Sequence, residues 1–329
     1  MSHFLTTTAW SPDELDEFLQ YVARMKAGAV PSRLDGKTMG MVFFNPSLRT
    51  RTSFETGMFQ LGGHAVNLEV GQGLWKLETE DGTVMDGEAA EHIREAAPVL
   101  SRYVDVLGVR AFAPGKDWAK DRLDPVLSAF ARYSEVPVIN MESAVWHPCQ
   151  ALADALTWEE QGLKKGDKVV LAWAYHPKAL PLAVPNSVLT IAAQRGLNVT
   201  CLRPEPFGLD PEIVETAQSV ASKTGGSVAE TEDRKALEGA RIIYAKSWGS
   251  IAAYGKSEEE KALRTAYRDW QVTADWMKLT ANAKFMHCLP VRRNVVVSDE
   301  VLDSAASVVT DQAENRLHVQ KALLVRLLA

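Results

Sequence analysis

Residues 43–55 (FFNPSLRTRTSFE) place two arginines and four hydroxyl side chains directly after an apolar run. At the carboxyl end of a parallel strand, the first turn of the next helix offers unpaired N–H groups and a positive partial charge. The hydroxyls of Ser47 and Thr50 and the guanidinium of Arg49 would add donors to such a site. The stretch therefore predicts a phosphate cradle, with a capped helix and solvated arginines as the alternative. Neither GxxxxGK[ST] nor GxGxxG is present here, which disfavours a nucleotide-binding loop.

Polar and charged side chains also mark other element ends. Arg110 closes the run DVLGVR, His147 and Gln150 open a helix that begins HPCQ, and Arg316 stands in AENR before the last helical stretch. Taken singly, each is more typical of a surface charge or a helix cap. Taken together they predict a constellation, because the carboxyl ends of parallel strands meet at one edge of a sheet.

The elements that must position these residues follow from the hydrophobic pattern. Residues 11–14 (SPDE) combine a capping box with a proline at the first helical position, which predicts the start of the first helix. Apolar runs then alternate with helical patterns, and the rhythm restarts at residues 167–175 (DKVVLAWAY) after a polar stretch. The sequence therefore predicts an α/β fold of two doubly wound parallel-sheet domains with a cleft between them. The last segment, AENRLHVQKALLVRLLA, predicts a helix that could pack on either domain.

Composition narrows the function. The 329 residues carry a formal net charge of −6, so no basic field is available for nucleic acid or an anionic membrane. No run of about 18 apolar residues is free of charge and no leader is visible, which predicts a cytoplasmic protein without a membrane segment. Cys149, Cys201 and Cys288 form no C-x-x-C pair, so neither a disulfide framework nor a structural zinc site is expected.

Three motifs, in the right order, resemble a known family. FFNPSLRTRTSFE, HPCQALAD and HCLPVRR are similar to the S-x-R-T-R signature, the H-P-x-Q helix and the H-C-L-P loop of the aspartate and ornithine carbamoyltransferases. The resemblance covers nearly the whole chain. It implies a carbamoyl-phosphate-binding domain at residues 1–150, an amine-substrate domain at 151–312, and a C-terminal helix at 313–329 that returns to the first domain.

The resemblance also implies a mechanism. Attack of an uncharged amine on the carbamoyl carbon places negative charge on the carbonyl oxygen and on the departing phosphate. Fixed cations and hydrogen-bond donors then suffice, and no covalent nucleophile, metal or cofactor is required. The implied carbamoyl-phosphate-binding residues are Ser47, Leu48, Arg49, Thr50, Trp75, Arg110, His147, Pro148, Cys149, Gln150, Cys288, Leu289 and Arg316.

Within this set, three residues would recognise the carbamoyl amide. Gln150 would orient it, and the backbone carbonyls of Cys288 and Leu289 would accept from its NH₂ group and from the incoming amine. Cys288 as a nucleophile is the alternative interpretation of that loop.

The stretch YAKSWGS bears on the identity of the amine. Lys246, Ser247 and Trp248 stand where ordinary ornithine carbamoyltransferases carry an S-M-G loop for a free α-amino acid. KSW, NMESAVWHPCQ, GTVMDGEAAEH and RRNVVVSDE resemble instead the branch that carbamoylates N-acetyl- or N-succinylornithine in arginine synthesis. That branch implies an acylornithine site with Glu142 toward the δ-amino group; the implied residues are Glu142, His176, Lys246 and Arg292.

In that branch, Trp75 of GLWKLE would reach the site of a neighbouring subunit, which implies a homotrimer. From the sequence alone, a half-buried aromatic is the simpler interpretation of this tryptophan.

Ala90 bears on the acyl group. By resemblance, acetyl-specific members carry a glutamate at this position and succinyl-specific members an uncharged residue. A glutamate about 4 Å from a succinyl carboxylate would cost about 4 kcal/mol, roughly a thousandfold in affinity. Ala90 therefore favours N-succinyl-L-ornithine.

Other stretches leave the acyl group open. PLAVPNS and FMHCLPVRRN look closer to the succinyl branch, whereas HPCQ and AENRLHVQKA look closer to the acetyl branch, so N-acetylornithine is the alternative substrate. Val296 stands where some acetyl-branch relatives carry a lysine that can be carboxylated, a modification that valine excludes. An alternative of a different class is a two-domain protein that closes on a small anion without turnover.

Overall fold

The computed structural model describes residues 2–30 and 32–329. In chain order its strands are β1 (Thr38–Phe43), β2 (His64–Glu69), β3 (Leu77–Glu78), β4 (Glu91–His92), β5 (Val106–Arg110), β6 (Val138–Glu142), β7 (Lys168–Trp173), β8 (Asn198–Leu202), β9 (Ser227–Thr231), β10 (Ile242–Lys246) and β11 (Lys284–Met286).

Helices connect most of these strands. In chain order they are α1 (Pro12–Lys26), α2 (Arg49–Gln60), α3 (Ile93–Ser101), α4 (Trp118–Asp121), α5 (Pro125–Tyr133), α6 (Pro148–Glu160), α7 (Ala183–Gln194), α8 (Pro211–Thr224), α9 (Ser257–Thr265), α10 (Ala274–Lys278), α11 (Asp299–Leu302) and α12 (Val309–Leu328), with short 3₁₀ turns at Thr7–Ala9, Glu205–Phe207 and Arg234–Leu237. The predicted start of the first helix is confirmed, since Ser11 and Glu14 form a reciprocal capping box with Pro12 at the first helical position.

Two parallel sheets organise the chain, which confirms the predicted fold class. The first has the order β2-β1-β5-β6 and the second the order β11-β10-β7-β8-β9, and every pairing in both is parallel. The strand order reverses between β1 and β5 in one sheet and between β10 and β7 in the other. Ligands of open α/β sheets bind at such switch points, beyond the carboxyl ends of the strands.

The edge strands β2 and β9 do not form continuous apolar runs in the sequence. Their residues are mostly half-buried or exposed, whereas β1, β5, β7 and β10 are almost fully buried and read as apolar runs. An edge strand buries less of its surface, so its sequence carries a weaker signal.

α6 and α12 join the two halves. Every residue of α6 from Pro148 to Trp158 is buried, and α6 contacts both α7 and α12. The domain boundary predicted after residue 150 falls inside this helix. α12 packs against α1, α2 and α6 and begins four residues before the predicted helix at 313–329. Among residues 2–30 and 32–329, no helix combines the length and the apolar character needed to cross a bilayer.

Candidate active site

The turn between β1 and α2 places donors at the switch point of the first sheet. Phe44 N donates to Arg110 O at 2.9 Å, which ties the end of β1 to the end of β5. Ser47 Oγ then accepts from Thr50 N at 3.2 Å, so the serine caps the first turn of α2. Because α2 begins directly at Arg49, its unpaired N–H groups and positive end lie beside the arginine at the end of β5.

Arg110 is held by an acidic neighbour. Its Nη1 donates to Glu142 Oε2 in a short ion pair between two side chains that are each about nine-tenths buried. A register shift after Val109 pairs Arg110 with Glu142 at the carboxyl ends of β5 and β6. The guanidinium lies 4.6 Å from the ring centroid of Phe112, and its Nε is buried without a hydrogen-bond partner among the described residues.

His147 begins α6 inside this charged cluster. Its Nε2 lies 3.5 Å from Glu142 Oε2 and 3.5 Å from Arg316 Nη1. Burial, and then the charges of Arg316 and Arg110, lower the pKa of His147 well below its usual value. The imidazole is therefore neutral near pH 7. Its Nδ1 is buried without a hydrogen-bond partner in the described part of the chain.

Arg316 reaches the site from α12 and bonds to both flanking helices. Its Nη2 donates to Thr50 Oγ1 at 3.0 Å and its Nη1 to Gln150 Oε1 at 2.8 Å. All three side chains are buried. A guanidinium only donates, so the oxygen of the Gln150 amide must face it.

The second sheet contributes from the end of β10 and from the loop after β7. Lys246 ends β10 with its side chain buried, and His176 follows β7. Arg292 Nε donates to His176 Nε2 at 3.0 Å. Burial is the main cause that lowers the pKa of His176, and the charges of Arg292 and Lys246 add to it. These groups face the first sheet across the cleft.

The two sets of residues surround one cavity of about 290 Å³. It adjoins a second cavity of about 410 Å³, and both are lined by Ser47, Arg49 and Arg110. Four cationic side chains but one carboxylate line the smaller cavity, which makes it an anion site; the predicted residues that it brings together are Ser47, Arg49, Thr50, Arg110, Glu142, His147, Gln150, His176, Lys246, Cys288, Leu289 and Arg316.

Some predicted residues lie outside this lining. Leu48 lines only the larger cavity. Pro148 and Cys149 are buried in α6, and burial raises the pKa of the Cys149 thiol to about 12. Trp75 and Ala90 are exposed near the short β3–β4 ribbon and do not line the cavity of their own chain.

Arg292 contacts the cavity only through His176. Sequence reasoning missed several apolar lining residues, among them Phe112, Leu180, Pro181 and, in α7, Val184, because single apolar residues carry no functional signal.

Cys288 does not have the properties of a nucleophile. Burial raises the pKa of its thiol, whereas a reactive cysteine needs surroundings that favour the thiolate. Among the described residues, no group of three His, Cys, Asp or Glu side chains could hold a metal ion. The cavity itself is lined by hydrogen-bond donors and by four cationic side chains.

Two doubly wound sheets that face one cationic cavity define a two-domain α/β protein with a site for an anionic ligand. Residues 2–160 match the carbamoyl-phosphate-binding domain of the aspartate/ornithine carbamoyltransferases, and residues 182–327 match their Asp/Orn-binding domain. The chain belongs to the aspartate/ornithine carbamoyltransferase family and is a carbamoyltransferase.

Relatives and solved structures place it within that family. The chain is 51% identical to N-acetylornithine carbamoyltransferase of Xanthomonas campestris pv. campestris over 99% of this chain and 98% of the relative. It is 42% identical to N-succinylornithine carbamoyltransferase of Bacteroides thetaiotaomicron over 89% and 87% of the two chains. A structure of acetylornithine transcarbamylase complexed with acetylcitrulline superposes with a TM-score of 0.96, at 50% identity and full coverage of both chains.

A further solved structure bears on the acyl group. It is a glutamate-to-alanine mutant of N-acetyl-L-ornithine transcarbamylase complexed with carbamyl phosphate and N-succinyl-L-norvaline. It superposes with a TM-score of 0.95 at 50% identity, covering 99% of this chain and 100% of that one.

Proposed function

We propose that this enzyme transfers the carbamoyl group of carbamoyl phosphate to the δ-amino group of N-succinyl-L-ornithine, giving N-succinyl-L-citrulline and phosphate in arginine biosynthesis. The observation that carries the choice of acyl group is the alanine at position 90, where the acetyl branch is expected to have a glutamate. N-Acetylornithine is the second candidate, favoured by the higher identity to the acetyl enzyme.

The cationic cavity supports carbamoyl phosphate as the first substrate. The α2 N-terminus, Ser47, Arg49 and Arg110 would bind the phosphate. The Nε of Arg110 is a buried donor without a partner among the described residues, and an anionic ligand would satisfy it. Because this anion site is built mainly by the first sheet, we expect carbamoyl phosphate to bind before the amine and to favour closure of the cleft.

The reaction then needs only fixed donors. The uncharged δ-amine attacks the carbamoyl carbon, the bond from that carbon to the phosphate oxygen breaks, and the amine proton leaves with the phosphate. Negative charge grows on the carbonyl oxygen in the transition state, where Thr50, His147 and Arg316 would stabilise it. His147 suits this role because a neutral imidazole has one N–H group, which can donate a hydrogen bond to the carbonyl oxygen.

The acyl end of the substrate would meet the second sheet and a neighbouring subunit. Lys246 and Arg292 are the cations that we assign to the substrate carboxylates, together with His176, which accepts from Arg292 Nε. Trp75 and Ala90 lie near one ribbon, and Ala90 N donates to Lys76 O at 3.1 Å. Because Trp75 and Ala90 are exposed and do not line the smaller cavity of their own chain, we propose that this ribbon completes the cavity of the next subunit in a homotrimer.

Ala90 would leave room for a succinyl carboxylate without repulsion. The two glutamates that flank it are already engaged, Glu88 with Lys76 and Glu91 with the indole N–H of Trp75 at 2.8 Å. An added glutamate at position 90 would cost about 4 kcal/mol at 4 Å from the second carboxylate. The alanine variant of the acetyl enzyme, with N-succinyl-L-norvaline bound, is consistent with this assignment.

The test is an assay of ureido product with carbamoyl phosphate and three amines: N-succinyl-, N-acetyl- and free L-ornithine. We expect the wild type to have the highest kcat/KM with N-succinyl-L-ornithine. Ala90→Glu should shift the preference toward the acetyl substrate, and Ala90→Gln, which adds the same bulk without the charge, should shift it much less.

Each outcome decides between the candidates. A wild-type preference for N-acetylornithine would exclude the succinyl proposal and leave the acetyl one. Equal effects of Ala90→Glu and Ala90→Gln would show that size and not charge selects the acyl group. Turnover of free L-ornithine alone would exclude both acylated substrates.

A further inference from the structure

A buried carboxylate lies behind the cavity and takes no part in the chemistry above. Asp154 is on α6, one helical turn after Gln150, and has no exposed surface. Its Oδ1 accepts from Gln150 Nε2 at 2.8 Å and from Gln312 Nε2 at 2.7 Å. Burying a carboxylate costs free energy unless its oxygens accept hydrogen bonds. Here two amide groups donate those bonds.

The first of these bonds completes the orientation of the Gln150 amide. Arg316 donates to its oxygen and Asp154 accepts from its nitrogen, and neither partner can exchange its role. The oxygen is therefore held toward Arg316, which lines the cavity together with Gln150. Without Asp154 the amide nitrogen would be a buried donor with no acceptor, and the side chain would gain by turning away.

The second bond extends to the opposite wall of the cavity. Gln312 Oε1 accepts from His287 N at 3.0 Å, and His287 directly precedes Cys288 and Leu289, whose carbonyls would face the carbamoyl amide in the proposed function. His287 Nδ1 in turn accepts from Leu289 N at 2.9 Å. Gln312 Nε2 also donates to the hydroxyl of Tyr244 at 3.1 Å, on β10. The loop after β11 is thus fixed to α12 through the same amide that Asp154 holds.

We infer that Asp154 is a positioning residue for recognition of the carbamoyl NH₂ group, because one carboxylate oxygen orients both Gln150 and, through Gln312, the loop of Cys288 and Leu289. This inference rests on the proposed function, since it assumes that the ligand carries that NH₂ group. Among the described residues, Ser47, Arg49 and Arg110, which we assign to the phosphate, make no hydrogen bond to Gln150, Asp154 or Gln312. Asp154 therefore affects the preference of the enzyme for carbamoyl phosphate over other acyl phosphates, and it does not affect the affinity for the phosphate group itself.

The experiment compares carbamoyl phosphate with acetyl phosphate, in which a methyl group replaces the NH₂, and with inorganic phosphate. Affinities of the full-length enzyme are measured by competition. In Asp154→Leu, which removes the acceptors and keeps most of the volume, we expect the preference for carbamoyl over acetyl phosphate to fall by about tenfold or more. The affinity for inorganic phosphate should stay within about twofold of the wild type.

Two further variants make the test specific. Asp154→Asn keeps an oxygen acceptor and should retain most of the preference. Thr157→Val, one turn further along α6, removes the acceptor of the Asn315 amide at 3.0 Å, and should leave the preference unchanged. If Asp154 had a purely structural role, Asp154→Leu would instead lower the affinities for all three ligands in the same proportion. That result would overturn the inference.

Gln312→Met decides the question if Asp154→Leu does not fold, because it removes the same link to His287 while Asp154 keeps its bond to Gln150. A preference equal to that of the wild type in Gln312→Met would then overturn the inference. Failure of the proposed function is seen separately, as the absence of ureido product from wild-type enzyme with all three amines.

Discussion

Arg316 and Thr50 are 266 positions apart in the sequence, yet Arg316 Nη2 donates to Thr50 Oγ1 at 3.0 Å inside the protein. The arginine lies in the last helix and the threonine in the first turn of α2. The anion site therefore exists only when α12 is docked against α2 and α6. Stability of that docking and competence of the site are linked through one guanidinium.

Arg316→Lys should lower kcat/KM by about a hundredfold. Lysine keeps the charge but cannot bond to Thr50 and Gln150 at once with the planar fork of arginine. Loss of one transition-state donor typically costs about 10²–10³ in rate. Steady-state kinetics with both substrates measure the effect. Arg326→Lys, on the same helix but stacked on Trp10, is the matched control, and equal activities of the two variants would contradict the role of Arg316.

Arg49→Gln should raise the KM for carbamoyl phosphate by about tenfold or more, because a charge-assisted bond to the phosphate is lost. Arg49 is half-buried and lines both cavities. Arg51, two residues further on, pairs with Glu69 at 2.6 Å and is more exposed. Arg51→Gln is therefore the control, and we expect it to change this KM little. An unchanged KM in Arg49→Gln would refute the phosphate cradle at the start of α2.

Trp75→Ala should inactivate the neighbouring site while leaving its own chain's cavity intact, if the ribbon completes that site. Mixing dissociated Trp75→Ala and Arg49→Gln subunits should then restore activity on reassembly, measured at carbamoyl phosphate concentrations well below the raised KM of Arg49→Gln. In a random one-to-one mixture of a cyclic trimer, about a quarter of the sites would have native residues from both contributing chains. Activity that stays at the level of the two parents would exclude the shared site.

Two hydrogen bonds join α4 to the second domain, and we call this contact the clasp. We expect the clasp to control how far the cleft between the domains opens. Trp118 Nε1 donates to Asp210 Oδ2 at 2.7 Å, and the Tyr254 hydroxyl donates to buried Asp121 at 2.9 Å. Gly255 has φ of 77°, and a Cβ there would overlap the carbonyl oxygen of Lys116.

Gly255→Ala should therefore lower the melting temperature and raise the KM for the amine. Gly239→Ala has the same backbone conformation, φ of 75°, with open space around the added Cβ. We expect it to cost only the left-handed strain, about 1–2 kcal/mol. The melting temperature and the KM for the amine, measured for both variants, distinguish loss of the clasp from backbone strain alone. Equal changes in the two variants would show that the clasp affects neither stability nor amine binding.

Asp124→Asn should flatten the dependence of stability on pH between about 4 and 6. Burial raises the pKa of Asp124 to about 6, although its carboxylate accepts from Ser143 and Ala144. A folded pKa above the unfolded value means that the native state binds the extra proton. The contribution of Asp124 is therefore fully present at low pH and is lost as pH rises through about 6.

The expected size is about 3 kcal/mol for a shift of about two pH units. The measurement is the difference in unfolding free energy between wild type and Asp124→Asn from pH 4 to 7. Asn also tolerates the positive φ of this position, 48°. A difference that does not vary with pH would contradict the raised pKa. Asp154, whose pKa burial raises to about 7, is present in both proteins and cancels.

Local sequence determined the parts of this protein that depend on near neighbours. The buried strands β1, β5, β7 and β10 are apolar runs in the sequence, because both of their faces are buried. The capping box at Ser11 predicts the start of α1, because unpaired N–H groups at a helix start need acceptors within a few residues. The three motifs gave the family and most of the cavity lining. The half-exposed edge strands β2 and β9 left no comparable pattern.

Tertiary structure alone decided which polar groups bond to each other. The ion pair of Arg110 with Glu142 depends on a register shift between two strands, and the bonds of Asp154 join α6 to a helix that follows 158 residues later. Neither contact has a sequence signal, because its partners are brought together only by the packing of sheets and helices. The sequence by itself fixed which donors are available; the fold, by withdrawing them from water around one cavity, determined that they act as a single anion site.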